Sequence, residues 1–212
     1  MIAEGPVTLA PQPGVTLEGR LSVPAGATVG VAICHPHPLY GGDMDSPVVL
    51  AAVAACAAAG LATLRFNFRG VGASTGAHDS GRGEQGDLEA ALDHLAGQMG
   101  PGAVAAAGYS FGSMVTAAVA ARRPSLCGVA LIAPPLAAAT KGLDALGALE
   151  APLLIVVGAH DTYCPRDVLD AALKTLPRAE VHVLDGADHF FGGALRPLGQ
   201  AVEGWARGLR AG

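Results

Sequence analysis

The chain predicts an α/β fold: a mostly parallel sheet of about eight strands, antiparallel at its start, with helices on both faces. Three observations carry that expectation. Short runs such as Val29 to Cys34, Leu61 to Phe66, Val129 to Ile132 and Leu153 to Val157 are continuously apolar, as strands buried on both faces are. Segments of helical spacing separate them, the rhythm of an α/β chain. The 212 residues are 51% hydrophobic and 15% charged, enough apolar material for a large interior and too little charge for disorder.

In order, Val7-Thr8-Leu9 and Val15 to Val23 alternate or nearly alternate, with Pro and Gly between them, and read as an antiparallel hairpin. Val29 to Cys34 is followed by a Pro/Gly-rich loop and an alanine-rich helix near Pro47 to Ala59. After Leu61 to Phe66 comes a glycine-rich loop; Glu84 to Gln98 then has helical spacing at Leu88, Ala91, Leu92 and Leu95. Ala103 to Ala107 reads as a strand and Ser113 to Arg122 as a helix. A helix near Asp167 to Leu176, a strand over Val181 to Leu184 and a helix near Leu195 to Leu209 complete the pattern. No repeat or linker divides the chain, so residues 1–212 read as one domain.

Composition also excludes some partners. A net charge of -5 gives no attraction to nucleic acid or to an anionic membrane, and neither is expected as a partner. The longest apolar run, Val48 to Gly60, is about half of what a bilayer needs. The start lacks a basic, apolar leader, so a cytoplasmic location is expected. Cys34, Cys56 and Cys127 lie in apolar segments and read as buried free thiols; Cys164, close after Asp161, is left open.

The chemistry gathers where strands end. Gly108-Tyr109-Ser110-Phe111-Gly112 joins an apolar run to a helix. A serine in so sharp a turn takes a strained backbone and needs flanking residues without a Cβ, which Gly108 and Gly112 supply. The turn raises the Ser110 hydroxyl, and the Phe111 N–H is left to stabilise an oxyanion. A hydroxyl needs a base to remove its proton: His189, in the last strand-to-helix loop, is the candidate. Asp161 follows the strand ending at Gly158 and would accept the other ring N–H of His189. Asp188, beside His189, reads as a turn residue instead.

These residues, in the order Ser, Asp, His after successive strands, resemble the catalytic triad of the α/β-hydrolase superfamily. The likeness covers nearly the whole chain. Within the superfamily the chain is most similar to the small, lidless serine hydrolases near the dienelactone hydrolases. They share a His-Pro loop followed by Gly-Gly, here His35 to Gly42, and an Arg-x-Asn-x-Arg-Gly-x-Gly-x-Ser stretch, here Arg65 to Ser74. Dienelactone hydrolases use a cysteine nucleophile, so Ser110 favours ordinary ester chemistry.

The resemblance implies an α/β-hydrolase fold without a cap domain, since only Ala133 to Ala151 separates the sixth and seventh strands. It implies an open site, no cofactor, and a small or short-acyl ester as substrate; thioesters or amides would follow the same mechanism. The second oxyanion donor would come from the loop after Cys34. Pro36 and Pro38 have no N–H, which leaves His37, Leu39, Tyr40 or a glycine, and the family pattern favours His37. A non-catalytic scaffold and a metal site on His35 and His37 are the competing readings; no convincing set of carboxylates accompanies the histidines, and no metal is expected. Arg65, Asn67 and Arg69 read as strand-end residues paired with acids such as Asp43 or Asp45, or as an anion site, while Glu84 and Asp87 read as first-turn helix acids.

Overall fold

The computed structural model describes residues 3–100, 102–138 and 143–209. Eight strands form one sheet: β1 (Gly5–Gln12), β2 (Val15–Ser22), β3 (Gly30–Cys34), β4 (Ala62–Phe66), β5 (Val104–Tyr109), β6 (Val129–Ile132), β7 (Leu153–Gly158) and β8 (Glu180–Leu184). Their order is β1-β2-β4-β3-β5-β6-β7-β8. The first hairpin is antiparallel with an irregularity between Leu9 and Gln12, β2 joins β4 antiparallel, and every later pairing is parallel.

The continuous apolar runs are explained by the layers they separate. Along β5, Val104 and Ala106 face one core while Ala105 and Ala107 face the other; β7 divides likewise between Ile155, Val157 and Leu154, Val156. Helices α2 (Gly83–Met99), α3 (Phe111–Ala120) and α4 (Arg166–Leu173) cover the first face. Helices α1 (Pro47–Ala58) and α5 (Leu195–Gly208) pack together over the second. Small strand residues let helices approach closely: a Cβ on Gly30 would lie 3.0 Å from Leu95 Cδ2 of α2.

Helix ends depart slightly from the expected ones. Helix α4 stops at Leu173 because Lys174, Thr175 and Leu176 bond back three residues, to Ala171, Ala172 and Leu173, in tightened turns. Between β6 and β7 the described residues hold only a short 3₁₀ turn, Asp144–Ala148, so there is no room for a cap; residues 139–142 of that interval lie outside the described ones. No helix among the described residues is long and apolar enough to cross a membrane. The four cysteines are free thiols; Cys34, Cys56 and Cys164 are buried, whereas Cys127, expected inside, is only half-buried. Burial pushes the Cys164 thiol up to about 12.

Candidate active site

Ser110 sits between β5 and α3 with φ 53 and ψ -117, in the left-handed half of backbone space that a serine seldom occupies. Its neighbours explain the two glycines. A Cβ on Gly108 would lie 2.2 Å from the Gly112 carbonyl oxygen, and one on Gly112 would lie 2.5 Å from the His35 carbonyl oxygen. No other residue type fits between these backbones, so sterics fix the elbow's shape, and the Ser113 hydroxyl adds a bond to the Ser110 carbonyl at 2.5 Å.

Three loops at the carboxyl ends of β5, β7 and β8 bring the predicted residues together. Ser110 Oγ is 2.9 Å from His189 Nε2, and His189 Nδ1 is 2.8 Å from Asp161 Oδ2. Asp161 is buried, and its Oδ1 accepts the Tyr163 and Cys164 N–H groups at 2.8 and 3.2 Å. A carboxylate so engaged accepts at Oδ2, which places the proton of neutral His189 on Nδ1 and turns the Nε2 lone pair to the serine hydroxyl. Tyr109 donates its hydroxyl to the His189 carbonyl at 3.2 Å, and burial pushes that phenol up to about 12. Asp188 is a turn residue, as its type suggested: its Oδ1 accepts the Phe190 and Gly192 N–H groups.

The loop after β3 narrows the choice of a second donor. Leu39 N–H bonds to His37 Nδ1, Tyr40 and Gly42 N–H both bond to the His37 carbonyl, and Gly41 N–H bonds to the Pro38 carbonyl. Of the candidates named from sequence, only the His37 N–H is uncommitted within the described residues. Phe111 opens α3, so its N–H has no acceptor one turn back. Partial burial and the neighbouring His78 hold the His37 ring below its ordinary pKa.

His35 cannot serve as a ligand in the way a His-x-His pair suggested. It is wholly buried, its Nδ1–H donates to the Pro36 carbonyl at 2.6 Å, and its Nε2 accepts the Phe68 N–H at 3.0 Å. Burial lowers its pKa to about 4, so the ring is a neutral strut between two loops. Nothing in its sequence neighbourhood signals this role.

The Arg65 to Ser74 stretch turns inward as well. Arg65 binds Glu4 at 2.8 Å and also Asp45, one of the two acids expected for it. Arg69 binds neither Asp43 nor Asp45; it forks onto Asp87 of α2 at 2.7 and 3.1 Å, the acid fully buried. Asn67 joins Glu18 at 2.6 Å to the Met44 N–H at 2.8 Å. Glu84 stands in the first turn of α2 as expected, though buried; the reading of Asp87 as a first-turn acid needs correction, because it lies beyond that turn and is buried against Arg69. Glu84 holds the 79–81 loop by accepting the Asp79 and Gly81 N–H groups, each at 2.8 Å. His78 Nδ1 also lies 2.8 Å from Glu84, off the line of a hydrogen bond.

Ser110 opens into a cleft of about 940 Å³. One wall comes from the loops after β3 and β4, including His37, Tyr40 and Gly81; Met114 of α3 also lines the cleft, and Tyr163 and Phe190 form the wall beside His189. The last two went unnoticed in the sequence, although they stand two residues after Asp161 and one after His189.

A family model described as an alpha/beta hydrolase domain matches residues 37–201. An uncharacterized Rickettsia prowazekii protein is 35% identical over 185 residues, which cover 82% of this chain and 77% of the relative. Among solved structures, a Coxiella burnetii alpha-beta serine hydrolase homologue is 34% identical with a TM-score of 0.85, covering 96% of this chain and 97% of that one. A Xanthomonas campestris protein described as a serine hydrolase without a lid is 29% identical with a TM-score of 0.83, covering 98% of this chain and 95% of that one. By fold, sequence match and structural likeness, the chain belongs to the alpha/beta hydrolase family.

Proposed function

We propose that this hydrolase is a serine esterase that cleaves small or short-acyl carboxylic esters through Ser110, His189 and Asp161. The observation that carries the reading is the unbroken line from Ser110 Oγ to His189 Nε2 and from His189 Nδ1 to Asp161, at 2.9 and 2.8 Å. His189 takes the hydroxyl proton as Ser110 Oγ bonds to the ester carbon. The carbonyl oxygen becomes an oxyanion facing the Phe111 and His37 N–H groups, and Asp161 stabilises the imidazolium. As the oxyanion collapses the bond to the alcohol oxygen breaks, and His189 returns the proton to that oxygen. Water, deprotonated by His189, then releases the acid by the same steps in reverse roles. Each oxyanion donor is worth about 10²–10³ in kcat. Thioesters and amides would enter by the same route.

The open cleft supports the short-acyl preference: Tyr40 and Phe190 on its walls are 87% and 65% exposed, and nothing among the described residues encloses a long chain. The test is labelling with a fluorophosphonate probe followed by mass mapping, with Ser110→Ala as control. A label on Ser110 is expected; a folded protein that takes none there refutes the proposal. In a p-nitrophenyl series from acetate to decanoate, kcat/KM should fall with chain length, and a flat or rising series would overturn the acyl preference.

A further inference from the structure

Aromatic residues are scarce in this chain, yet all three tyrosines and two of the five phenylalanines line the cleft that holds Ser110. Two of them flank the imidazole. The Tyr163 ring lies 4.5 Å from that of His189, tilted by 47°, and the Phe190 ring lies 5.4 Å away at 90°. Tyr163 and Phe190 remain 50% and 65% exposed, so neither is there to fill the core.

We propose that Tyr163 and Phe190 form a subsite for the alcohol portion of the substrate, selective for an aromatic alcohol such as a benzyl-type group. The inference rests on the ester-cleaving reading above and adds which part of the ester these rings recognise. Geometry assigns the side. With the carbonyl oxygen directed at the Phe111 and His37 N–H groups, the leaving oxygen must lie within proton-transfer reach of His189 Nε2. The substituent on that oxygen therefore leaves past the imidazole, on the side where the two rings stand, while the acyl group extends toward the opposite wall.

The backbone that carries the rings is pinned. Tyr163 is fixed by its N–H on Asp161 at 2.8 Å and by its carbonyl, which accepts the Ala137 N–H at 2.9 Å; Phe190 is fixed by its N–H on Asp188 at 3.0 Å. Two faces set at different tilts suit stacked and edge-on contacts with a third ring. A saturated ring of the same size would bury similar area without those contacts.

The experiment compares benzyl acetate with cyclohexylmethyl acetate, which share the acyl group and release primary alcohols of similar acidity, using acid release at constant pH. For the unaltered protein kcat/KM should favour the benzyl ester by about fivefold. In the Tyr163→Leu/Phe190→Leu double variant, which keeps apolar bulk, the ratio should fall to about one. A ratio at or below one in the unaltered protein overturns the proposal. So does a double variant that slows both esters equally, for that is what rings that merely shield the imidazole would give. Fluorophosphonate labelling of Ser110 is run on every protein: label with no benzyl preference sinks the subsite alone, whereas no label on the folded protein sinks the esterase reading and the subsite with it.

Discussion

Replacing Asp161 with asparagine exchanges one oxygen for an NH₂ group, and the hydrogen bonds around the carboxylate set the cost. Oδ1 accepts two backbone N–H groups, from Tyr163 and Cys164, while Oδ2 accepts from His189. An amide has one acceptor oxygen. If that oxygen stays with the two backbone donors, the NH₂ group faces His189 Nδ1 and donates to it, so the ring proton moves to Nε2. That imidazole cannot take a proton from Ser110. Turning the amide over restores the correct tautomer but sets one buried and one part-buried N–H group against an NH₂, at about 1–3 kcal/mol each. The competent form is then suppressed by about 2–6 kcal/mol, and the lost stabilisation of the imidazolium adds to that. The expected fall in kcat/KM toward p-nitrophenyl acetate is about 10³–10⁴, or about 4–5.5 kcal/mol, with the fluorophosphonate labelling rate falling in parallel. A melting curve close to that of the unaltered protein must accompany it. If folded Asp161→Asn keeps activity within about tenfold, Asp161 does not set the tautomer and the proposed relay is wrong.

Three further outcomes rest on the same geometry. Gly108→Ala should lower the melting temperature and abolish Ser110 labelling, because its Cβ would sit 2.2 Å from the Gly112 carbonyl oxygen; a well-folded, fully labelled variant would refute the steric account of the elbow. Arg69→Met should cost about 3–5 kcal/mol in urea unfolding by stranding the buried Asp87 carboxylate, while the Arg69→Met/Asp87→Leu pair should recover much of the loss. His35 takes up a proton near 6.5 when unfolded but only near 4 when folded, so the unfolded state binds the extra proton between those values. Its contribution is therefore full above pH 6.5 and is lost as pH falls toward 4, by about 3 kcal/mol, and His35→Gln should flatten urea-measured stability across that window.

What could be read in advance divides by the range of the physics involved. Strands such as Leu153–Gly158 announced themselves because burial on both faces leaves no polar positions. Ser110, Asp161 and His189 were legible as candidates because each lies in the loop or turn that follows a strand, and parallel strands deliver those ends to one rim. Arg69 was harder: its partner Asp87 lies 18 residues on, and only the docking of α2 decides that it wins over Asp43. Tyr163 and Phe190 were present in the pattern but carried no periodic signal, since a wall of a cleft belongs to no helix face or strand face. The choice of His37 rested on the missing N–H groups of the two prolines and on likeness; that the N–H groups of residues 39–42 are committed to the loop itself could not be read from the sequence.

Matched charges likewise decide what the Arg65 to Ser74 stretch is for. A run with two arginines and an asparagine beside a candidate active site invites assignment to an anionic substrate, yet each cation is already matched inside the protein: Arg65 by Glu4 and Asp45, Arg69 by Asp87. Recruiting either for a ligand would strand a carboxylate that is mostly or wholly buried. What these residues do instead is brace the side of the cleft opposite His189. Arg69 fastens the loop after β4 to α2, Glu84 of the same helix holds the 79–81 backbone, and the Phe68 N–H on His35 Nε2 ties that loop to the residue two before His37. An oxyanion donor is effective only if it does not move when charge develops. Rigidity on this side would then come from buried polar bonds, and that on the other side from the Asp161 and Asp188 turns, which is why an open cleft without a cap could still hold a reacting carbonyl in place.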